Sequence, residues 1–232
     1  MLLERFPDGL EERAAGERIE LVVFTDEHGE AELRHAFADV SAESVLPGWE
    51  DRWKEFHRPI YAGGLWIGPP WIEPPPGERV VVVDPGRAFG TGAHPTTRAS
   101  IELLARLERG SMLDAGCGSG VVSVAAARLG FRPVLAVDAD EVAVEVAAET
   151  ARRNEVVVSV SRADVLLDDL PATDALVANI ELGVVERLLE RATASVAVTS
   201  GYLESQTPHV SRWEHASRLV VDGWAADILY AK

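Results

Sequence analysis

The chain has 232 residues, 47% of them hydrophobic, enough for one α/β domain of about 150–180 residues and a small extra module. A formal charge of −16 argues against direct nucleic acid binding, because phosphate contacts draw on Lys and Arg, and it suits a basic protein partner. No apolar run approaches the ~20 residues of a membrane span, the start lacks the basic-then-apolar order of a signal peptide, and Cys117 is the single cysteine, so an intrachain disulfide and a cysteine-built zinc site are out; the expectation is a cytoplasmic protein with no metal and no membrane contact.

Residues 1–46 read as a small α/β module. They are strongly acidic: the first fifty residues carry thirteen acids against four arginines. Residues 19–25 are rich in β-branched types and predict a strand. Asp26-Glu27-His28-Gly29 is turn chemistry. Residues 30–38 have helical spacing, with Leu33 and Phe37 on one face. Pro47-Gly48 breaks the chain, and residues 49–56 predict a short amphipathic helix with Trp49, Trp53 and Phe56 on one stripe, an arrangement suited to packing. Leu65-Trp66-Ile67 predicts a strand. Five prolines at 69, 70, 74, 75 and 76 then predict a stiff connector. These features put a domain boundary between Gly63 and Gly77, giving a module at 1–46, a linker helix and connector at 47–76, and the main domain at 77–232.

From residue 77 onward strands alternate with helices, the mark of a mostly parallel sheet. Strands are expected at 80–83, 112–115, 134–137, 156–160, 175–178 and 196–199, and helices at 97–107, 121–129 and 141–153. Near the end, apolar segments at 219–221 and 225–230 flank Asp222-Gly223, a strong hairpin dipeptide. An antiparallel hairpin closing a parallel sheet departs from the ordinary dinucleotide-binding layout.

The informative loop is Asp114-Ala115-Gly116-Cys117-Gly118-Ser119-Gly120, between a predicted strand and a predicted helix. Its glycines permit positive φ and a close backbone approach by a ligand, at a helix start whose free N–H groups can receive polar atoms. The same glycines also suit a purely structural turn. Asp138 ends the next predicted strand, where a carboxylate can accept from both ribose hydroxyls of an adenosyl ligand. Asp140 and Glu141 are better read as acids at a helix N-terminus. The dinucleotide fingerprint needs glycine at its first, third and sixth positions; here the sixth is Val121 and the fifth is Gly120. That spacing favours S-adenosylmethionine, which has no phosphates, over a nicotinamide dinucleotide. No Gly-Lys-Ser or Gly-Lys-Thr occurs, and Lys54 and Lys232 lie far from the loop, which disfavours a phosphate-loop nucleotidase. Cys117 has no evident paired base and reads as a small loop residue.

A second shaped stretch precedes it: Asp84-Pro85-Gly86-Arg87-Ala88-Phe89-Gly90-Thr91-Gly92-Ala93-His94-Pro95-Thr96-Thr97. His94 or Thr96 could cap the following helix. This stretch resembles the PrmA family, bacterial methyltransferases of large-subunit ribosomal protein eleven, as do the glycine loop with Asp138, Ala178-Asn179-Ile180, and Ser200-Gly201-Tyr202-Leu203. The resemblance runs from about Trp49 to Leu203. It implies a Rossmann-like class I methyltransferase fold of the α/β class, closed here by the C-terminal antiparallel hairpin and preceded by a small, truncated N-terminal α/β module. It implies that Thr97, Gly116, Asp138 and Asn179 contact S-adenosylmethionine. The segment from Phe89, Gly90 and Thr91 through His94 would fold over its methionine end, Asp114 and Gly118 would belong to the same grip, and Asp164 would lie near adenine. Fewer than fifty residues precede Trp49, a shorter N-terminal region than the family's usual substrate-recognition domain.

Asn179 ends a predicted strand at the carboxyl edge of the sheet, where open α/β proteins bind ligands. It is the candidate to hold an incoming amine through its side chain or the neighbouring carbonyls; an asparagine ending a strand in a turn is the plainer reading. His94 is the alternative, a general base whose ordinary pKa lies near neutrality. The reaction expected is methylation of amino groups, lysine or N-terminal, on a basic ribosomal protein. Methylation of another protein lysine or a small amine, and a non-catalytic cofactor-binding module, are the competing readings.

Overall fold

The computed structural model describes residues 11–15, 18–22, 27–37, 40–42, 58–84 and 92–232. The chain divides into two compact units, Met1–Arg52 and Trp53–Lys232. In the first, β1 (Glu11–Ala15) and β2 (Arg18–Val22) pair antiparallel, and helix α1 spans Glu27–Ala36. The strand expected at 19–25 corresponds to β2. Glu27, His28 and Gly29, expected in a turn, are the first residues of α1. Arg34 and His35 in the last turn match the helix dipole, and Arg34 Nε bonds Glu30 one turn earlier at 2.8 Å. Phe37 follows the helix and is 39% exposed, so the expected apolar face is not sealed at that end. The helix expected at 49–56 lies outside the described residues.

The second unit opens with a small sheet of β3 (Ile60–Ala62), β4 (Leu65–Gly68) and β5 (Val80–Val82). Gly63 and Gly64 join β3 to β4 with φ of 59° and 71°, the two left-handed positions a tight hairpin turn needs. The proline-rich stretch connects β4 to β5, which pair in parallel. The boundary expected between Gly63 and Gly77 therefore falls inside this unit. The reason is burial: Leu65, Ile67 and Val81 are at most 1% exposed and share one apolar core with Ile101, Leu104 and Val124.

The main sheet follows. Its strands are β6 (Met112–Ala115), β7 (Val134–Asp138), β8 (Ser159–Arg162), β9 (Ala175–Asn179), β10 (Val196–Leu203), β11 (Trp213–Val221) and β12 (Trp224–Ala231). Their order is β11-β12-β10-β9-β6-β7-β8. The five strands from β10 to β8 are parallel; β12 joins β10 antiparallel, and β11 joins β12 antiparallel. Helices α2 (Pro95–Leu104), α3 (Val121–Leu129), α4 (Glu141–Arg153) and α5 (Leu182–Arg191) complete the unit. Adjacent strand residues face opposite cores, as the two-residue period requires: Met112, Val177, Val198 and Ile228 lie in one apolar cluster, Leu113, Leu176, Ala197 and Leu229 in the other.

Most strands and helices expected after residue 77 are present, with two instructive differences. The strand expected at 156–160 starts only at Ser159, because the chain is still unwinding from α4: Glu155 has φ 53° and the Val156 N–H bonds the Ala151 carbonyl. Val157 is left 90% exposed. Helix α5 was not anticipated, although Val185, Leu188 and Leu189 carry the required spacing and are fully buried. The hairpin at Asp222-Gly223 is as expected, with both residues at positive φ (49° and 80°) and with β11 longer than foreseen.

One side chain ties the small sheet to α4. Asn154 caps that helix, and its amide pairs with both main-chain groups of Val82: the Val82 N–H donates to Oδ1 at 2.7 Å, and Nδ2 donates to the Val82 carbonyl at 2.7 Å.

Candidate functional site

The strand order reverses between β6 and β9, and loops leaving their carboxyl ends diverge there. Such a switch point is where open α/β sheets bind ligands. The structure brings Gly116, Asp138 and Asn179 to this edge from three neighbouring strands.

The glycine loop is built for close approach. Gly116 has φ 77°, and a Cβ there would come within 2.6 Å of Ile180 Cγ2. Gly120 caps α3 at φ 76°, where a Cβ would lie 2.9 Å from the Ala147 backbone. The loop's N–H groups are largely engaged internally: Gly116 and Cys117 donate to the Val137 carbonyl at 2.9 and 3.0 Å, and Gly120 to Cys117 at 2.8 Å. Gly118 donates to Asp138 Oδ2 at 2.9 Å, while the Asp140 N–H donates to Asp138 Oδ1 at 3.0 Å. A pyrophosphate would find these donors taken and a carboxylate beside it. A ligand without phosphate fits better, and each Asp138 oxygen retains accepting capacity for a ribose hydroxyl.

Asp114 is placed beneath the loop. It is 2% exposed, and Ser123 Oγ donates to its Oδ2 at 2.5 Å. Because Gly120 has no side chain to cap α3, this strand carboxylate does so from outside the helix. Burial pushes its pKa up to about 6; the Ser123 hydroxyl and N–H oppose the rise, and the Asp138 charge adds to it. Cys117 is 6% exposed, and burial, with Asp114 and Asp138 nearby, pushes its thiol well above the ordinary range. It is no nucleophile, as the sequence suggests.

Thr97 and Asn179, 82 residues apart, are brought together: Asn179 Nδ2 donates to Thr97 Oγ1 at 3.3 Å. Thr97 is 1% exposed on α2. His94 is the N-cap of that helix. Its Nδ1 accepts from the Thr96 N–H at 3.4 Å and lies 2.7 Å from Thr96 Oγ1, and its ring stands edge-on to Trp224 at 5.0 Å. Asp164 starts a tight turn after β8, with Oδ1 accepting from the Leu166 N–H at 2.8 Å. Ala163, just before it, donates to the Asp138 carbonyl at 3.0 Å, which sets the two loops side by side. Phe89, Gly90 and Thr91 lie outside the described residues. Among the described residues, no group of three His, Cys, Asp or Glu side chains gathers to hold a metal.

Ser200-Gly201-Tyr202-Leu203, singled out by resemblance, forms the far wall of this edge; its partners in the hairpin were not read from the sequence. Gly201, at φ 101°, rests against the backbone of Ile180. Behind it Tyr202, Asp227, Arg218 and His215 form a hydrogen-bonded cluster. The available signal was an aspartate inside the otherwise apolar run from Ala225 to Leu229.

A parallel sheet closed by an antiparallel hairpin, with a glycine loop and an acidic strand end at its switch point, defines a Rossmann-like methyltransferase fold. The family model described as Ribosomal protein L11 methyltransferase (PrmA) matches residues 17–227, and the chain belongs to that family. The ribosomal protein L11 methyltransferase of Dictyoglomus thermophilum is 37% identical over 166 residues, which is 67% of this chain and 54% of that protein. The one from Legionella pneumophila strain Lens is 35% identical over 201 residues, 79% of this chain and 68% of that protein. The chain thus spans between about half and two thirds of the length of these relatives. The crystal structure of ribosomal protein L11 methylase from Lactobacillus delbrueckii subsp. bulgaricus superposes with a TM-score of 0.68 at 25% identity, over 76% of this chain and all of that one.

Proposed function

We propose that this protein transfers methyl groups from S-adenosylmethionine to amino groups, of lysine or an N-terminus, on ribosomal protein L11. The observation that supports the reading is the convergence at the switch point of the Gly116–Gly120 turn, the Asp138 carboxylate to which Gly118 is bonded, and Asn179 bonded to Thr97. Gly116, Gly118 and Asp138 would hold the nucleoside, Thr97 and Asn179 the groups toward its methionine end, and Asp164 the neighbourhood of adenine. Phe89, Gly90 and Thr91 enter only through the family resemblance. When bound, S-adenosylmethionine supplies an activated methyl group on a sulfonium.

The protein's task is therefore proximity and orientation. Asn179, with the carbonyls of the turn that follows it, holds the acceptor amine in line. The amine needs a free electron pair, and a strong ion pair would keep it protonated, so water takes the proton. His94 serves as an anchor: its Nδ1 faces Thr96 within the cap of α2. A formal charge of −16 favours encounter with a basic acceptor, and residues 1–46 are the candidate recognition module. Such an acceptor goes with a cytoplasmic address.

Calorimetry with S-adenosylmethionine and its demethylated product should give binding, and NADH none. Labelled cofactor incubated with a lysate should then mark one basic ribosomal protein. Uptake of NADH instead would end the cofactor reading. A different labelled acceptor would end only the assignment of L11, and binding without transfer to any acceptor would end the enzymatic reading.

A further inference from the structure

Asp227 lies in the middle of β12 and is fully buried. Its carboxylate accepts four hydrogen bonds: Arg218 Nε and Nη2, both at 2.8 Å, His215 Nε2 at 2.6 Å and the Tyr202 hydroxyl at 2.8 Å. Arg218 also donates to the carbonyls of Glu204 and Gln206 at 3.1 and 2.9 Å, just past the end of β10. Apolar side chains of similar volume would stabilise two strands as well or better than a buried ion pair. A network of this kind is better suited to fixing one register.

The register it meets is irregular. Pairing between β10 and β12 skips a residue between Ser200 and Tyr202, a bulge with Gly201 at its centre. The bulge turns Tyr202 to the side of Thr199, 2.8 Å between their hydroxyls, and so toward Asp227. It also presses Gly201 onto Ile180: a Cβ there would lie 2.7 Å from the Ile180 carbonyl carbon and 2.8 Å from its nitrogen, overlapping its oxygen. The Ile180 N–H donates to the Ser200 carbonyl at 3.1 Å, and Ser200 stands opposite Asn179 in the parallel register. Ser200 Oγ in turn donates to the Ala225 carbonyl at 2.8 Å. Direct contacts thus run without a gap from Asp227 through Tyr202 and the bulge to the Asn179–Ile180 turn.

We propose that the buried Tyr202–Asp227–Arg218 network is a positioning element for methyl transfer: through the bulge at Gly201 it fixes the Asn179–Ile180 turn against which the acceptor is held. The inference rests on the transfer reaction proposed above. Tyr202 and Asp227 act through the backbone of β10, whereas the cofactor is gripped chiefly from β6 and β7. Their loss therefore lowers turnover more than cofactor affinity.

The test compares wild type with Tyr202→Phe, Asp227→Asn and, as a control on the same hairpin, Trp213→Phe. Trp213 donates to the Leu189 carbonyl at the end of β11 remote from the turn. Single-turnover methylation of purified L11 under saturating cofactor, cofactor Kd and Tm are measured for each. Tyr202→Phe keeps the ring and is expected to lose about tenfold or more in rate, since small misplacements of reacting groups are costly. Its Kd should change by less than about threefold, and Trp213→Phe should lower Tm with its rate within about twofold. Tyr202→Phe and Asp227→Asn with wild-type rates would overturn the positioning role, as would rate losses matched by the control at equal Tm loss. A wild type inactive on L11 would instead overturn L11 as the acceptor of the reaction proposed above, and this inference with it.

Discussion

Among the described residues two carboxylates are buried, Asp114 at 2% and Asp227 at 0% exposure, and they are pulled in opposite directions. Asp114, under the glycine loop, has one neutral partner residue, Ser123, and burial raises its pKa to about 6. Asp227, in the C-terminal hairpin, is also pushed up by burial, but the hydrogen bonds of Arg218, His215 and Tyr202 and the Arg218 charge outweigh it, and its carboxyl is held below the ordinary value. Low exposure alone therefore does not set protonation; the depth of burial and the number and charge of the donors do. The glycine loop sits over a carboxyl that burial lifts to a pKa of about 6. The region that braces the sheet holds its charge.

Removing the better-paired group should cost most. Asp227→Ala removes the carboxylate that balances the Arg218 charge, 24% exposed, and accepts from the Tyr202 hydroxyl, and should destabilise the fold by about 3–5 kcal/mol in urea unfolding. A loss under about 1 kcal/mol would mean that burial and pairing nearly cancel there, and the contrast with Asp114 would vanish.

The second effect is on pH. Asp114 is raised from its unfolded value, so its contribution is fully present below about pH 4 and is lost as pH rises through about 6, a swing of roughly 3 kcal/mol. Asp227 runs the other way: its contribution is present above the unfolded carboxylate range and lost as pH falls below that range through its lower folded value. Asp114→Asn should thus gain stability relative to wild type between pH 4 and 7, read as Tm against pH. A difference that stays constant across that range would show Asp114 to be ionised throughout.

The smallest effect sharpens the cause. Ser123→Ala removes the hydroxyl donor of Asp114, should cost about 1 kcal/mol near neutral pH, and should move the Asp114 transition further up in pH. An unchanged transition would show that the Ser123 hydroxyl does not oppose the rise.

Much of the fold was legible in the residues. β6, α3 and α4 fall where apolar period and glycine punctuation put them, and the Asp222-Gly223 hairpin follows from two residues that tolerate positive φ. The glycine loop and Asp138 were legible because strand–loop–helix spacing fixes them locally. Asp114 was expected at the ligand surface, but burial under the loop depends on α3 folding back over β6. The small sheet looked like a connector because its prolines are local, whereas its burial depends on α2 and α3.

The sequence by itself determined the alternating strands and helices, the glycine turn, the acidic strand end and the hairpin, since each depends on neighbours a few residues away. Only the tertiary structure decided that Thr97 meets Asn179, that Asn154 clasps Val82, and that Asp227 and Tyr202 stand behind Gly201. Those pairings join residues 25 to 82 positions apart, and no local period or turn preference encodes which side chains a crossover will bring face to face.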